Sequence, residues 1–332
     1  MQQISSISEF LIQAGTDYRI VDMGRAFRVL ESQTFLDIEN AKTPAPFPRQ
    51  QQMWLGLVFW NKSLSEQRYI WFLKLPLDEQ GTLVSANRDH FLQTIVDALG
   101  VEFLENEEHE LKDNPYTFTP TEQQMSDFNS FVRHLLELPP SQYYQDAKNY
   151  IARPDLNDWQ MLSKQGLSDL ASNLLKDANA KHIAEHFQQL PDEVRQPLCA
   201  SLENYLLPKA LEDFFITQSQ SSYGSQSDKC LYLRAITKSN LEVCVQSIDS
   251  LLASDAELST DLLVIIAGRH WQTLKDTDRA LRFFECCAKQ NLFLPLYGDL
   301  VQIPEIRHSI LDVIRNPNRS ETLAKQIQTL FH

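Results

Sequence analysis

The spacing of apolar residues changes near residue 118, and this change constrains the fold more than any other feature of the chain. Before it, short runs of aromatic and β-branched residues predict strands. From about residue 120 onward, apolar residues recur with the 3.6-residue period of an amphipathic helix. We therefore expect two domains, an α+β domain with an antiparallel sheet over residues 1–115 and an all-helical, repeat-like domain over residues 120–332.

The first region combines helical and strand patterns. Helices are predicted at Ile4–Ala14 and at Phe91–Leu99, the second with Ser85 or Asn87 as its cap and Gly100 as its end. Strands are predicted at Tyr18–Met23, Arg25–Glu31, Thr34–Ile38, Met53–Trp60 and Tyr69–Leu75, of which the last two are the strongest.

The last two strands form a predicted hairpin that is apolar on both faces. Trp54, Val58 and Trp60 point one way, and the second face carries Met53, Leu55, Leu57 and Phe59. A sheet with one solvated face would alternate polar and apolar residues, so both faces need a cover. Helices of the same region supply one, and either the C-terminal region or a partner supplies the other. Trp54, Trp60 and Trp71 are core aromatics or, alternatively, candidates for an interaction surface.

The second region reads as a series of helices with short links. They are predicted at about Thr121–Leu135, Gln142–Ile151, Asp155–Leu175, Ala178–Gln188, Asp192–Leu206, Pro208–Gln218, Lys229–Thr237, Leu241–Ala253, Thr260–Trp271, Thr277–Gln290, Pro304–Arg315 and Ser320–Phe331. The polar stretch at 219–228 predicts a mobile loop between two of them.

A weak internal period accompanies these helices. Leu170-x-x-x-Leu174-Leu175 recurs 32 residues later as Leu202-x-x-x-Leu206-Leu207. One helical hairpin of an α-solenoid occupies a similar length, so the spacing favours a solenoid-like stack of hairpins over an irregular bundle.

The charge balance argues against two classes of partner. Lys and Arg number 30 against 44 Asp and Glu, a formal net charge of −14. Nucleic-acid binding and attachment to an anionic membrane both need basic surface, so neither is expected. The sequence holds no apolar run of 18 residues and begins without the basic and apolar segments of a secretory signal, so we expect a cytoplasmic protein.

The cysteines agree with that compartment. All five lie in the C-terminal half, at Cys199, Cys230, Cys244, Cys286 and Cys287. Their odd number and irregular spacing do not resemble a disulfide framework, and no C-x-x-C motif occurs. We interpret them as small core residues of a protein in a reducing environment.

One short motif could carry metal chemistry. The string HIAEH at residues 182–186 has the H-x-x-E-H pattern of the inverted zinc metallopeptidases. His182 and His186 would share a helix face as zinc ligands, with Glu185 as general base and Glu257 as a possible third ligand. The favoured interpretation is a solvated helix face, with Ile183, Phe187 and Leu190 turned inward.

Other catalytic signatures were not found. The sequence has no G-x-G-x-x-G, P-loop, G-x-S-x-G or kinase H-R-D motif, and no cofactor is predicted. Asp78 and Glu79, in the string PLDEQG, are a paired-carboxylate candidate for acid–base chemistry. A turn with Asp78 as side-chain acceptor and Gly81 at positive φ is the favoured interpretation.

The string Leu77-Asp78-Glu79 after a hydrophobic hairpin also carries a resemblance. Together with the length, the acidity and the two-region layout, it resembles a family of uncharacterised bacterial proteins with a Leu-Asp-Glu motif, a domain of unknown function. The resemblance implies a single family unit rather than fused modules, and it implies no activity.

These observations favour a cytoplasmic, non-enzymatic scaffold that binds a protein or peptide partner through its helical-repeat surface. The alternative is a zinc-dependent hydrolase built on His182, Glu185 and His186.

Overall fold

The computed structural model describes residues 5–61, 67–105, 114–221, 224–254 and 257–331. It divides into two compact units, Met1–Thr119 with Gln302–Pro304, and Pro120–Val301 with Glu305–His332. The first unit is α+β and the second is helical, as the change in apolar period predicts.

A four-stranded antiparallel sheet forms the centre of the first unit. Its strands are β1 (Asp17–Asp22), β2 (Arg28–Leu30), β3 (Gln52–Trp60) and β4 (Arg68–Pro76), in the order β2-β1-β3-β4. A short segment, Tyr116–Phe118, continues the pairing beyond β4. The Lys74 amide donates to the Tyr116 carbonyl over 2.8 Å, and the Phe118 amide donates to the Phe72 carbonyl over 3.1 Å. Because of this pairing, part of the outer edge of β4 is protected.

Three helices cover one face of this sheet: α1 (Ile7–Gln13), α2 (Ser32–Glu39) and α3 (Ser85–Glu105). The shared core contains Ile7, Leu11, Ile20, Phe35, Ile38, Met53, Leu55, Leu57, Leu73, Leu75 and Phe91, all buried. The buried Glu39 carboxylate ties α2 to α1, since it accepts the Ile7 amide over 2.6 Å and the Ser8 hydroxyl over 2.6 Å.

Three sequence predictions for this unit are wrong. Thr34–Ile38 is part of α2 and not a strand: a run this short has no decisive period, and Phe35 and Ile38 are buried at helical spacing. The strand predicted at Arg25–Glu31 shortens to β2. Gly100 does not end α3, which continues to Glu105. Ile4, where the first helix is predicted to begin, lies outside the described residues.

Thirteen α-helices follow among the described residues of the second unit. They are α4 (Glu122–Leu135), α5 (Tyr144–Ala152), α6 (Lys164–Ser172), α7 (Asn179–His186), α8 (Asp192–Leu202), α9 (Lys209–Gln220), α10 (Gln226–Ala235), α11 (Leu241–Leu252), α12 (Thr260–Arg269), α13 (Thr277–Lys289), α14 (Phe293–Leu300), α15 (Arg307–Arg315) and α16 (Glu321–Gln328). Short 3-10 helices lie at Trp159–Met161, Phe187–Gln189, Trp271–Lys275 and Thr329–Phe331.

The helices pack in two rows, because each one contacts the helix two places further along the chain. One row contains α4, α6, α8, α10 and α12, and the other contains α5, α7, α9, α11 and α13. In the first row, Lys164 pairs with Glu122 over 2.5 Å, which joins the starts of α6 and α4.

Further ion pairs fix the direction of this row. Arg195 pairs with Asp228 over 3.0 Å at the starts of α8 and α10, and Glu203 pairs with Arg234 and Arg269 over 2.8 and 2.9 Å at their ends. Starts therefore meet starts and ends meet ends, so these helices run parallel. This is the arrangement of a solenoid-like stack of helical hairpins.

Three predictions for this unit need correction. The helix predicted at Asp155–Leu175 begins only at Lys164, because Asp158 and Ser163 cap a 3-10 turn and a new helix in succession. Helix α14 is missing from the sequence predictions, because Pro295 and Gly298 are residue types that usually break helices. Pro295 lies in the first helical turn, where an amide proton is not required. The loop predicted at 219–228 is shorter, because α9 ends at Gln220 and α10 starts at Gln226.

No helix among the described parts of the chain is long and apolar enough to cross a membrane. All five cysteines are free, four of them buried and Cys286 partly so.

Candidate interaction surface

The H-x-x-E-H string lies on α7. The rings of His182 and His186 stack with centroids 6.4 Å apart, and Nδ1 of His186 lies 2.9 Å from the Ile151 carbonyl oxygen. Because a carbonyl only accepts, that nitrogen carries a proton. Glu185 pairs with Lys181 over 3.6 Å at the surface. Inward-facing residues of this segment are Ile183, Phe187 and Leu190, all buried as the spacing predicts.

The other carboxylate considered as a zinc ligand lies elsewhere. Glu257 accepts a hydrogen bond from Gln290 over 2.5 Å. Over the described residues, no group of three or more His, Cys, Asp or Glu side chains is placed to hold a metal ion.

We expect the purified protein to contain no stoichiometric zinc. His182→Ala should change the free energy of unfolding by no more than about 0.5 kcal/mol, because that side chain makes few stabilising contacts. His186→Ala should cost about 1 kcal/mol through loss of its hydrogen bond to Ile151. Elemental analysis and urea unfolding measure both, and one zinc per chain would contradict the expectation.

The paired carboxylates after β4 form a turn. The Asp78 carboxylate accepts the amides of Gln80 and Thr82, each over 2.8 Å, and Gly81 has a φ of 80°. The side chain of Asp78 is therefore used to hold the backbone, as the turn interpretation predicts.

Trp71 lies on the helix-covered face of the sheet. It pairs across the strands with Leu57 and contacts the rings of Phe59 at 4.6 Å, Phe91 at 6.0 Å and Phe10 at 6.2 Å. Its partly buried indole thus packs against the core of the first unit.

Trp54 and Trp60 lie on the opposite face. Trp54 packs edge-to-face on Phe118 at 4.8 Å, and its Nε1 donates to the Arg49 carbonyl over 3.1 Å. The guanidinium of Arg19 lies 5.7 Å from the ring of Trp60. The three tryptophans therefore do not form one continuous surface, because Trp71 faces away from the other two.

A cleft of about 330 Å³ opens between α1 and α2. Its lining includes Ile12, Tyr18 and Leu36, with Glu9 as its charged group. The Glu9 carboxylate accepts the Ser5 amide and the Gln13 side-chain amide over 2.8 and 3.2 Å, so it already has local donors.

The cysteines offer no activated nucleophile. Burial raises the pKa of the thiols of Cys199, Cys230, Cys244, Cys286 and Cys287. At neutral pH these groups are thiols rather than thiolates, and the thiolate is the reactive form.

The second unit exposes one large apolar side chain at each of four successive hairpin connections; Tyr143, Leu175 and Leu206 lie in the links, and Leu241 is the first residue of α11. They follow α4, α6, α8 and α10, and their exposed fractions are 44% for Tyr143, 89% for Leu175, 77% for Leu206 and 46% for Leu241. We call these four side chains the apolar ladder. They are separated by 32, 31 and 35 residues, close to one hairpin each.

The parallel direction of the even-numbered helices brings the ladder together. Each of the four side chains follows the end of an even-numbered helix, in the link or, for Leu241, at the first position of the next helix, so we infer that they lie along one edge of the stack. Neighbouring packed helices are roughly 8–10 Å apart, which sets the order of the spacing between successive ladder positions. Leu156 and Met161, 67% and 78% exposed, lie in the link from α5 to α6 at the other edge.

Sequence reasoning found the period but not the ladder. Of the repeated leucines, Leu170, Leu174 and Leu202 are buried, whereas Leu175 and Leu206 are exposed and occupy different positions in the string. Because α6 stops at Ser172 and α8 at Leu202, the residues Leu174, Leu175 and Leu206 all lie in links, and of these three only Leu174 packs inward.

Comparison with known proteins gives one result. A search of the curated proteins and a search of the solved structures found no match to the chain. A family model described as "Protein of unknown function (DUF3549)" matches residues 2–331. Because the match spans nearly the whole chain, the protein belongs to the DUF3549 family.

Proposed function

We propose that this protein is a non-enzymatic scaffold that binds a protein or peptide partner along the apolar ladder. The observation that carries the proposal is the exposure of Tyr143, Leu175, Leu206 and Leu241 at one edge of parallel helices. Aligned apolar side chains cost solvation free energy when exposed, and such patches are typical of binding surfaces.

The stack of hairpins supports this proposal in a second way. Repeats that contact only their neighbours present an extended surface, which suits a helix or an extended peptide. We place this activity in the cytoplasm of a bacterium, on the resemblance carried by Leu77–Glu79 and on the free cysteines. No observation favours the zinc hydrolase, and we propose no second function.

The test uses the full-length chain as bait with quantitative mass spectrometry of bound proteins. Leu175→Asp combined with Leu206→Asp should lower recovery of the specific partner at least tenfold, because two carboxylates would replace the apolar contacts. Recovery with Leu156→Asp and Met161→Asp should match the unsubstituted protein, since these equally exposed residues lie at the other edge.

Both double variants should retain their circular dichroism and their unfolding midpoint, because all four side chains are mostly exposed. Equal loss of the partner from both variants would contradict a specific role of the ladder. A partner retained by the ladder variant would also contradict it.

A further inference from the structure

A buried carboxylate joins the first three helices of the even-numbered row. Asp127 on α4 accepts hydrogen bonds from Ser168 Oγ on α6 over 2.7 Å and from Ser201 Oγ on α8 over 2.5 Å. Both carboxylate oxygens lie 3.0 Å from Nε2 of Gln123, one turn earlier on α4. We call Asp127, Gln123, Ser168 and Ser201 the Asp127 cluster.

The donors of this cluster are all neutral. No Lys, Arg or His side chain of the described residues makes an ion pair or hydrogen bond with Asp127, which is 5% exposed. A buried charge without a cation is costly, so the ionised form opposes the packing that buries it. By contrast, Glu203 at the end of α8 forms ion pairs with Arg234 and Arg269, so its charge has direct cationic partners.

The surrounding charges are few. Asp169 on α6 accepts Ser130 Oγ from α4 over 2.6 Å and the Ser141 amide over 2.8 Å. Glu203 on α8 lies near enough to add repulsion to Asp127, and Arg234 on α10 adds attraction. Burial raises the pKa of the Tyr205 hydroxyl, just after α8, and the negative charge of Asp127 raises it further.

We propose that the Asp127 cluster is a proton-dependent device, in which uptake of one proton by Asp127 strengthens the packing of α4 against α6 and α8. The added proton sits on Oδ2, the carboxylate oxygen to which neither Ser168 nor Ser201 donates. A turn of the Gln123 amide then presents its oxygen as acceptor, while Ser168 and Ser201 keep donating to the other carboxylate oxygen. The turn gives up the hydrogen bonds from Gln123 Nε2 to the Pro197 carbonyl, 3.4 Å long, and to Ser201 Oγ, 3.1 Å long.

The direction of the pH effect follows from the pKa. Burial raises the pKa of Asp127 from 3.8 to about 6, although the bonds from Ser201, Ser168 and Gln123 favour the charged form. The stabilisation that protonated Asp127 contributes is therefore complete below pH 3.8 and is lost as pH rises through about 6. If local unfolding of α4 exposes Asp127, the unfolded and folded pKa values of 3.8 and about 6 change the equilibrium constant of that unfolding about tenfold between pH 5 and pH 7.5.

Hydrogen exchange of the full-length protein tests the device. In the wild-type protein, the protection factors of the α4 amides, corrected for intrinsic exchange, should rise about tenfold from pH 7.5 to pH 5. In Asp127→Asn they should lack this rise, so the ratio of the two proteins gives the effect of Asp127. The asparagine keeps the shape and cannot ionise, so its cluster stays in the neutral state. This comparison cancels His270, whose pKa burial lowers to about 4 and whose titration acts in the opposite direction.

A matched control and a second variant keep the test decisive. Asp146→Asn, an exposed change on α5, should leave the wild-type pH dependence intact. Ser201→Ala removes one donor to the charged form and should shift the midpoint of the wild-type transition to higher pH. Equal pH dependence in wild type and Asp127→Asn, or an unmoved midpoint in Ser201→Ala, would overturn the proposal.

Discussion

Replacing Glu203 by alanine is expected to lower the free energy of unfolding by about 3 kcal/mol. Glu203 is buried at the end of α8 and is the shared partner of Arg234 on α10 and Arg269 on α12. Its removal leaves the guanidinium groups of Arg234 and Arg269 without the carboxylate that they share. Both guanidinium groups are partly exposed, so water recovers part of the loss and the effect stays at the low end of buried pairs.

Urea unfolding followed by far-ultraviolet circular dichroism measures this loss, since helices dominate that signal. Glu203→Gln should recover only a small part of it, because an amide keeps the shape but not the charge. As a control, Glu185→Ala at the exposed surface of α7 should stay within about 0.5 kcal/mol. Equal effects at the two positions would contradict the argument.

The same carboxylate gives a second expectation at low pH. Burial alone would raise the pKa of Glu203, but the charges and hydrogen bonds of Arg269 and Arg234 outweigh it and lower the pKa below 4.5. A lowered folded-state pKa means that this stabilisation is present above pH 4.5 and is lost as pH falls through the lower value. In acid, protonation of Glu203 therefore destabilises the fold, whereas protonation of Asp127 stabilises it.

Replacing Phe187 by alanine should cost about 3–5 kcal/mol. Its fully buried ring lies between the two rows of helices, with centroid distances of 5.0 Å to Phe215 and 6.1 Å to Tyr232. Alanine would remove the ring and leave a cavity that these large neighbours fill only in part. The energy includes both the lost burial and that cavity.

Thermal and urea unfolding of Phe187→Ala measure the cost, and Leu206→Ala is the matched control. Leu206 is 77% exposed, so its removal should change the free energy by no more than about 0.5 kcal/mol. A similar loss from both variants would contradict the argument that the burial of the Phe187 ring determines its contribution to the free energy of unfolding.

The period of apolar residues predicted most of the fold. It separated an antiparallel sheet from a helical region and found β3, β4 and most helices within a few residues. It also placed Ile183 and Phe187 inward, because a helix has one buried face and their spacing marks it. Local chemistry predicted the turn at Asp78, since an Asp side chain and a nearby glycine are sufficient to form it.

The remaining features depend on contacts between segments far apart in sequence. Whether Thr34–Ile38 is helix or strand is decided by the sheet core against which Phe35 packs. Trp71 faces α3 because β3 and β4 pair in one register, and nothing within β4 specifies that register. The ladder likewise requires the parallel direction of the helices, which ion pairs such as Arg195–Asp228 reveal. Composition contains none of this information.

The packing of each helix on the second helix along the chain has a consequence for how the protein acquires its structure. Side-chain hydrogen bonds between neighbouring helices of one row connect residues about one hairpin apart, as in the pairs Arg195–Asp228 and Arg279–Asp249, at separations of 33 and 30. Contacts between residues this close in sequence form fast, because closing the short loop between them costs little conformational entropy. Folding of this unit can start at any hairpin and spread to both sides, so the order of assembly is set by the most stable neighbouring pair rather than by either terminus.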